Sequence, residues 1–310
     1  MNSTITVPSE EIDDALALIG ERLVDFQLLA RGATSSVWLI RSDQRRLVLR
    51  LVEAENRVID EQIDHFIRQA VSDAGGRVAI PLTNSDAIGR LIGGRRWSLD
   101  EFVSGQHPER GRLSGETCAG LGETLAALHA IPVSGAGKPV RIEEDTIIGD
   151  RTNPVDGIAQ RFEMPLPEYW PDGYVNPLLR AAPDIESSVL EHLRQVAIRS
   201  KQANSVLCHS DLHEGQLICR EGLLAALVDF GDATLLDRHW DFGSLLYFHG
   251  TQVFEAAYSA YCGLANDEID TDLALSFAIA IAMHHANRSL QPGKAHRLAF
   301  ALNVVRGLLK

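Results

Sequence analysis

The stretch from Leu207 to Phe242 reads LCHSDLHEGQLICREGLLAALVDFGDATLLDRHWDF, and it decides how the rest of this 310-residue chain is interpreted. The apolar residues 206–208 predict the end of a buried strand. Two further strands are predicted at 216–220 and 223–228, joined by the turn pair Glu221-Gly222. The stretch therefore predicts a hairpin that follows a buried strand.

Three polar side chains flank this hairpin. Asp211 lies before it, Gln216 begins it and Asp229 follows it. Because a hairpin returns the chain to the edge where it started, we expect Asp229 to lie beside Gln216 and within reach of Asp211. Oxygen ligands that leave room for water and phosphate are what Mg²⁺ binds, so the layout is typical of a phosphoryl-transfer site.

Antiparallel strands are predicted near the N-terminus, at 26–30, 37–41 and 46–52. The loop between the first two can bring backbone N–H groups close to a phosphate. An ordinary hairpin is the alternative for this loop. The candidate phosphate-binding residues in and beside it are Gly32, Thr34, Ser35 and Ser36.

Arg50 lies in the middle of the third of these strands, among Leu47, Val48, Leu49 and Leu51. A cation in so apolar a strand either extends to water or binds an anion, and phosphate is the anion that the arrangement suggests. A helix is predicted at 55–72, and its Glu61 is the best candidate to hold Arg50 in place. A solvated glutamate is the alternative for Glu61.

The remaining patterns predict strands in the first third of the chain and mostly helices after Gly105. Residues 131–183, rich in Pro, Gly and aromatic residues, predict an irregular lid or binding loop. Further strands are expected at 78–80, 90–92 and 96–102, and helices at 9–19, 114–130, 183–199, 240–263, 268–288 and 293–309.

Bulk composition excludes some classes of function. The chain is 45% hydrophobic and 23% charged, with a net charge of −13, as in an ordinary acidic globular protein. Nucleic acid is not expected as a partner, because binding its backbone needs clustered Lys and Arg. The acidity favours a cationic small substrate, with a solubility charge as the alternative.

The four cysteines show no paired metal or redox spacing, which predicts free thiols in a reducing cytoplasm. The N-terminus is acidic where a signal peptide would be basic, and the uncharged run 273–283 is too short to span a bilayer. We therefore expect a cytoplasmic protein with no membrane partner.

Three blocks resemble the aminoglycoside phosphotransferase and choline kinase-like superfamily, which is related to the protein kinases. They are LAALHAIP at 125–132, CHSDLHEGQLI at 208–218 and LVDFGDATLLDRHWDFGSLL at 227–246. The resemblance implies an α+β, bilobal protein-kinase-like fold. Residues 1–103 would form a nucleotide-binding lobe with an antiparallel sheet and one main helix, and residues 104–310 a larger, mostly helical lobe for catalysis and substrate binding.

The resemblance also implies roles and cofactors. Asp211 would accept a hydrogen bond from the substrate hydroxyl, while Asp229 and Gln216 would hold Mg²⁺. Arg50, oriented by Glu61, would contact the phosphates of ATP, with GTP as the alternative nucleotide. The residues expected to offer backbone groups to the adenine are Glu101, Phe102 and Val103.

Departures from the family pattern concern Gln216, which stands where Asn is usual, Arg50, where many kinases have lysine, and Ser210, where glycine is usual. The longer Gln216 side chain puts the geometry of a second metal in doubt. Structural roles are expected for His129, His209, His213 and Asp241, and Asp232 could face the substrate.

The acceptor is expected to be small, because the short gap from Asp229 to a helix near Trp240 leaves no room for a peptide platform. Acidic residues in 143–172 and 267–272 favour an amine-bearing acceptor, most readily an aminoglycoside-type or other antibiotic. A kinase for a small metabolite, of amino alcohol, sugar or homoserine type, is the first alternative. A nucleotide-binding pseudokinase is the second, and the protein is expected to be a monomer or a dimer.

Overall fold

The computed structural model describes residues 7–32, 35–53, 61–162, 166–265 and 268–310. Its N-terminal part contains a five-stranded antiparallel sheet in the order β1-β2-β3-β5-β4. The strands are β1 (Leu23–Arg31), β2 (Ser35–Ser42), β3 (Arg46–Val52), β4 (Pro81–Asn84) and β5 (Trp97–Glu101).

Three helices accompany this sheet: α1 (Ser9–Ala17), α2 (Glu61–Asp73) and the single turn α3 (Ser85–Ile88). The expected strand at 78–80 is shifted onto β4, and 90–92 forms only an isolated bridge from Ile92 to Arg95. Gly93 and Gly94 make the turn inside that bridge with positive φ angles, as expected for a tight hairpin turn.

The chain continues into α4 (Gly115–His129), whose N-cap Ser114 accepts a hydrogen bond from the Thr117 N–H. A second sheet follows in the order β6-β8-β7-β12-β9. Its strands are β6 (Val133–Ser134), β7 (Ala136–Glu143), β8 (Thr146–Arg151), β9 (Val206–Cys208) and β12 (Thr234–Leu236). Three helices lie between β8 and β9: α5 (Pro154–Arg161), α6 (Pro177–Ala181) and α7 (Glu186–Ser200).

The predicted hairpin is present as β10 (Leu217–Arg220) and β11 (Leu223–Leu227), with Glu221 and Gly222 at positive φ in its turn. The C-terminal quarter is helical. Its helices are α8 (His239–His249), α9 (Thr251–Ala265), α10 (Thr271–Arg288) and α11 (His296–Leu308).

Two further sequence expectations about elements are wrong. Residues 131–183 are not an irregular loop, because the β7–β8 hairpin and two capped helices organise most of them. The single helix expected at 240–263 is two helices, α8 and α9, because Gly250 adopts φ 84° and ψ 179°, which ends the first.

The buried apolar residues form two clusters. The smaller joins α1 to one face of the first sheet, through Leu47, Leu49 and Leu51. The larger fills the C-terminal part and includes Leu121, Leu125 and Leu128 of α4, as the sequence predicts. The apolar face of α2 also belongs to this larger cluster, so α2 bridges the two parts. We propose the change from strands to helices, at residues 103–104, as the lobe boundary.

The α+β fold expected from the sequence is confirmed. All four cysteines are free, and Cys118 and Cys208 are fully buried. Within the described residues, no helix is long and apolar enough to cross a membrane.

Candidate active site

Alternation along β3 points Val48 and Arg50 to one face of the sheet and Leu47, Leu49 and Leu51 to the buried face. Both Val48 and Arg50 line a cavity of about 750 Å³ between the first sheet and the β10–β11 hairpin. The side chain of Arg50 is only 11% exposed. The predicted strand cation is therefore held in a cleft, where it can meet an anion.

A buried ion network fixes Arg50. Its Nη2 lies 3.0 Å from Asp64 Oδ2 and 3.8 Å from Asp100 Oδ2. Arg68, one helical turn after Asp64, contacts the same two carboxylates at 2.8 Å each. Sequence analysis missed Asp64, Arg68 and Asp100, although two opposite charges at i and i+4 on the α2 face were a readable signal.

Glu61 is not the ion-pair partner of Arg50, so that expectation is wrong. It is fully buried on α2, but Asp64, three residues further along the same helix face, reaches the guanidinium. Burial lowers the pKa of Arg50, but the charges of Asp64, Asp100, Glu61 and Asp229 outweigh it and raise the pKa overall. Glu61 therefore stabilises the cation over a longer distance.

The expected phosphate loop is only partly supported. Gly32 and Ser35 line the cavity and are joined by a hydrogen bond from Gly32 N–H to Ser35 C=O of 2.8 Å. Ser36 does not line this cavity, and its buried hydroxyl lies 2.7 Å from Glu53 Oε1 and 3.1 Å from Trp38 Nε1. Thr34 lies outside the described residues.

The linker after β5 lines the same cavity with Glu101, Phe102 and Val103. The N–H groups of Glu101 and Phe102 donate to the carbonyls of Ile80 and Arg46. Within the described chain, the Val103 N–H has no hydrogen-bond acceptor. Of these three backbone N–H groups, that of Val103 therefore remains available to a ligand.

The linker is then tied to the hairpin. Gln106 and Cys219 exchange two backbone hydrogen bonds of 2.9 and 2.8 Å. Gly105 packs so closely that a Cβ there would lie 2.6 Å from the Cys219 carbonyl oxygen. This contact fixes the apolar floor of the cavity, Ile218 and Val228, relative to Val37 and Val48 of the first sheet.

The hairpin brings Gln216 and Asp229 together, as the sequence predicts. Their side chains lie 3.3 Å apart, from Gln216 Nε2 to Asp229 Oδ2. Asp229 adopts a left-handed backbone with φ 65°, and its carboxylate is 57% exposed toward the cavity that Arg50 lines. The amide nitrogen of Gln216 makes this contact, and the Asp229 carboxylate and the Gln216 amide oxygen are the oxygens that could hold a hard cation such as Mg²⁺.

Asp211 lies on a loop that Asp241 of α8 holds. Asp241 Oδ2 and Oδ1 accept the backbone N–H groups of His209 and Ser210, each at 2.8 Å. His129 lies 3.1 Å from the same carboxylate. Ser210 takes φ 70°, the conformation that explains why glycine is usual there, and its hydroxyl donates to the Asp232 carbonyl.

His129, Cys208 and Asp241 also lie close enough to one another to suggest a metal group. Asp241 already accepts two backbone N–H groups, and Cys208 is fully buried with a pKa raised well above its ordinary value by burial and by Asp241. We therefore interpret this cluster as the support of the loop.

The environment of Asp211 raises its pKa. Burial is the main cause and the charge of Asp232 adds to it, whereas His213, 3.6 Å from the carboxylate, lowers it. His209 Nε2 donates to the Val228 carbonyl, 3.0 Å away, so its role is structural as expected. A partly buried carboxylate with a raised pKa is a suitable proton acceptor.

A second cavity of about 300 Å³ opens at Asp211. His213 lines both cavities, so the two meet at the loop that carries Asp211. Its aromatic walls include Phe162 and Trp240, which stack with ring centroids 3.7 Å apart. Asp232 lines it too, as the sequence suggested.

The acidic residues expected in this second cavity do not line it, and arginines do. Of the acidic residues that the sequence assigned to the acceptor site in 143–172 and 267–272, none that the structure describes lines it, and Asp267 is not described. Asp270 instead caps α10 and pairs with Arg199. The lining contains Arg110, Arg288 and Arg297, which sequence reasoning missed because they are separated along the chain from the central motif.

Comparison with known proteins finds one matching family and several solved structures with a similar fold. A model of a phosphotransferase enzyme family, APH, matches residues 25–272. The ternary complex of a thermostable mutant of aminoglycoside phosphotransferase APH(4)-Ia with ADP and hygromycin B aligns with a TM-score of 0.63 at 14% identity, covering 97% of each chain. Spectinomycin phosphotransferase APH(9)-Ia, in complex with ADP and spectinomycin, gives 0.59 at 13% identity, covering 99% of this chain and 96% of that one.

The GDP and kanamycin complex of APH(2")-IIia gives a TM-score of 0.61 at 16% identity, covering 97% of each chain. No protein with a curated description matches the sequence. Identities this low establish the shared fold, whereas the family match extends over most of the chain, including the residues that line the larger cavity, the Asp211 loop and the β10–β11 hairpin. The chain therefore belongs to the phosphotransferase enzyme family.

Proposed function

We propose that the protein transfers the γ-phosphate of ATP to a hydroxyl of a small molecule, with Mg²⁺ held by Asp229 and Gln216. One observation carries the proposal. Asp211 lines the smaller cavity, Asp229 lines the larger one, and His213 lines both, so an acceptor and a nucleotide would meet at these residues. GTP remains the alternative nucleotide.

In the proposed reaction, Asp211 accepts a hydrogen bond from the acceptor hydroxyl and then its proton. The hydroxyl oxygen forms a bond to the γ-phosphorus, and the bond from that phosphorus to the β–γ bridging oxygen breaks, which releases ADP. Arg50 lies within 3.9 Å of Asp229 and binds phosphate oxygens. Bound Mg²⁺ would supply neutralisation of phosphate charge.

The nucleotide base would lie between Val37 and Val48 on one side and Ile218 and Val228 on the other, since these apolar residues line the larger cavity. The free N–H of Val103 would pair with the edge of the base. The larger cavity suits a nucleotide better than it suits the acceptor. Its polar and its apolar lining residues lie apart from each other, as binding of phosphates and of a base requires.

The acceptor is proposed to be a small metabolite of the sugar or homoserine type in preference to an aminoglycoside. The solved relatives named above bind aminoglycosides or spectinomycin. In this chain the expected acidic groups are absent from the described lining of the acceptor cavity, which contains arginines.

The test is phosphoryl transfer from ATP to a panel of small alcohols, with Asp211→Ala as the diagnostic variant. Loss of a general base reduces kcat by about 10²- to 10⁴-fold, whereas nucleotide binding should persist. Asp184→Asn, an exposed carboxylate paired with Arg306, is the control. Equal transfer by the Asp211→Ala protein would refute the mechanism, and nucleotide binding without transfer to any acceptor would favour the pseudokinase.

A further inference from the structure

The acceptor cavity is lined by two sets of charged residues. Asp211 and Asp232 come from the catalytic stretch, and Arg288 and Arg297 come from the end of α10 and the start of α11. The protein as a whole has a net charge of −13, so two arginines in one small cavity are a local exception to its acidic surface. Their position suggests a ligand of opposite charge.

Neither of these arginines makes an ion pair or a side-chain hydrogen bond in the described part of the chain, although the charge of Asp211 raises the pKa of Arg297 from a longer distance. No carboxylate lies within 4.0 Å of the Arg288 or Arg297 guanidinium, and no side-chain hydrogen bond satisfies either group there. The Nε of Arg288 is buried without an acceptor. Partly buried cations are normally paired with an anion, because their desolvation is costly. Two neighbouring arginines without such a partner are therefore favourable mainly when a ligand supplies the negative charge.

Arg110 provides the contrast within the same cavity. It makes two hydrogen bonds to Glu214, of 2.8 and 2.6 Å, and lies 4.6 Å from the Phe300 ring centroid. Its charge is therefore neutralised by the protein. Arg288 and Arg297 differ from Arg110 in this respect.

The electrostatics of neighbouring groups agree with an excess of positive charge. Burial lowers the pKa of Arg297, and the adjacent charge of Arg288 lowers it further. Burial also lowers the pKa of His285, with Arg297 and Arg288 as the next causes, to about 3. The imidazole of His285 is thus neutral near pH 7, and the positive charge in this part of the cavity resides on the arginines.

We propose that the acceptor carries an anionic group, a carboxylate or a phosphate, that Arg288 and Arg297 bind while its hydroxyl lies at Asp211. This inference rests on the proposed function, because it names the acceptor class of the same site. The carboxylates of Asp211 and Asp232 repel an anion, whereas a guanidinium binds one through paired N–H donors. The two kinds of charge therefore give the acceptor one productive orientation.

The size of the cavity fits this class. A volume of about 300 Å³ lies at the lower end of the usual range for ligand pockets. A hydroxy acid or a sugar phosphate is small enough for it, and the stacked pair Phe162 and Trp240 provides an apolar wall for the carbon skeleton.

The first experiment compares acceptors that share one diol and differ only in charge. With Mg-ATP, the wild-type protein is offered glycerol, glycerate, glycerol 3-phosphate and 3-amino-1,2-propanediol. We expect kcat/KM for at least one of the two anions to exceed that of glycerol and of the amine by about tenfold or more. The carboxylate and phosphate arms distinguish the two kinds of anion, and a preference for the amine would overturn the inference.

The second experiment uses Arg288→Gln and Arg297→Gln, singly and together. The ratio of kcat/KM for the anionic acceptor to that for glycerol should fall by about 10- to 100-fold, mainly through KM, because hydrogen bonds to charged groups are lost. Arg306→Gln is the matched control, since it removes one exposed charge from the same α11. An effect confined to the KM for ATP would contradict the assignment.

A binding measurement tests the anion site without turnover. Inorganic phosphate is titrated calorimetrically into protein saturated with Mg-AMP-PNP, which occupies the nucleotide cavity. Wild type and Arg306→Gln should bind phosphate, and the Arg288→Gln, Arg297→Gln double variant should not. Equal binding by the double variant, or no binding by wild type, overturns the inference.

Failure of the proposed function gives a different result. No phosphoryl transfer to any of the four alcohols, with the same ATP consumption by wild type and Asp211→Ala, would refute the phosphotransferase assignment. The phosphate titration would then still decide whether Arg288 and Arg297 form an anion site. Thermal melting of each variant shows that it is folded, and removal of one of two repelling cations is expected to raise Tm.

Discussion

At the scale of single residues, Asp64 forms the ion pair with Arg50 that the sequence analysis expected of Glu61. Its Oδ2 is shared by Arg50 at 3.0 Å and Arg68 at 2.8 Å, and the carboxylate is fully buried. Removal of one partner from a buried ion pair is costly because it leaves an uncompensated charge. The position of Arg50, and with it the proposed phosphate site, depends on this carboxylate.

We predict that Asp64→Asn lowers the free energy of unfolding by about 3 kcal/mol and weakens ADP binding. Glu61→Gln should weaken ADP binding less, since Glu61 acts on Arg50 without an ion-pair contact. Denaturant unfolding and calorimetry measure the two effects, with Asp73→Asn, an exposed carboxylate of the same helix, as the control. A larger loss of ADP affinity in Glu61→Gln would restore Glu61 as the main partner.

His285 predicts a dependence of stability on pH. Its pKa in the folded protein is lowered, by burial and then by Arg297 and Arg288, to about 3 from an ordinary value of 6.5. As the pH falls below 6.5, the unfolded chain binds a proton at His285 that the folded protein does not, so stability is lost.

Between pH 7.5 and pH 5, wild type should therefore lose about 2 kcal/mol more of its unfolding free energy than His285→Phe. Phe retains the edge contacts to the rings of Tyr247 and Phe248. His285→Gln separates titration from packing, because it also lacks the ionisable ring. Parallel pH profiles for wild type and both variants would show that His285 does not titrate in this way.

At the scale of elements, the loop that carries Asp211 depends on helix α8, which follows it by about thirty residues. Asp241 of α8 binds two loop N–H groups, Ser244 Oγ accepts from the Leu212 N–H at 3.1 Å, and Trp240 Nε1 donates to the Ser210 carbonyl. The length of α8 is set by Gly250, which begins the turn into α9. Continuation of the helix past this point would misdirect α9 and the elements that follow.

We predict that Gly250→Ala destabilises the protein by about 1 to 3 kcal/mol, although a Cβ there would meet nothing within 4 Å. The cost comes from φ 84° and ψ 179°, which a residue with a Cβ rarely adopts. Gly263→Ala, in α9 and equally open, should stabilise by about 0.5 to 1 kcal/mol. Chemical denaturation of both variants checks this, and equal effects would exclude a backbone origin.

At the scale of the whole molecule, the two cavities meet at the loop that carries Asp211 and His213. The larger is lined by the first sheet, the linker and the hairpin, and the smaller by the Asp211 loop, by Phe162 directly after α5, and by residues of α8, α10 and α11. The overall charge of −13 does not describe either cavity, since both arginines and carboxylates line each of them. Nucleotide binding should therefore stabilise both parts of the chain together.

We predict that saturating AMP-PNP raises Tm more with Mg²⁺ than with EDTA, because a ligand at about 100 times its Kd stabilises by about 2.7 kcal/mol and phosphate affinity depends on the metal. Asp229→Asn should lose the Mg²⁺-dependent part. Asn tolerates the left-handed backbone that Asp229 adopts, so the variant should remain folded. Equal Tm values with Mg²⁺ and EDTA in wild type would exclude this metal site.

Much of the fold and part of the site could be read from local patterns. The β10–β11 hairpin follows from its turn pair, and it brings Gln216 to Asp229. Alternation along β3 aims Arg50 into the cleft, and helical spacing places Leu121, Leu125 and Leu128 in the core. The family resemblance carried the roles that spacing alone could not assign.

The sequence by itself determined the set of secondary-structure elements and the contacts between residues close along the chain, because strand alternation, helix period and turn chemistry are local. Only the tertiary structure decided the choice of Asp64 over Glu61 and the charges that surround the acceptor. Arg288 and Arg297 line the same cavity as Asp211 from helices about 80 residues further along the chain. Net charge and local acidity cannot predict that cavity, because electrostatic contacts depend on distance in space between residues that packing brings together.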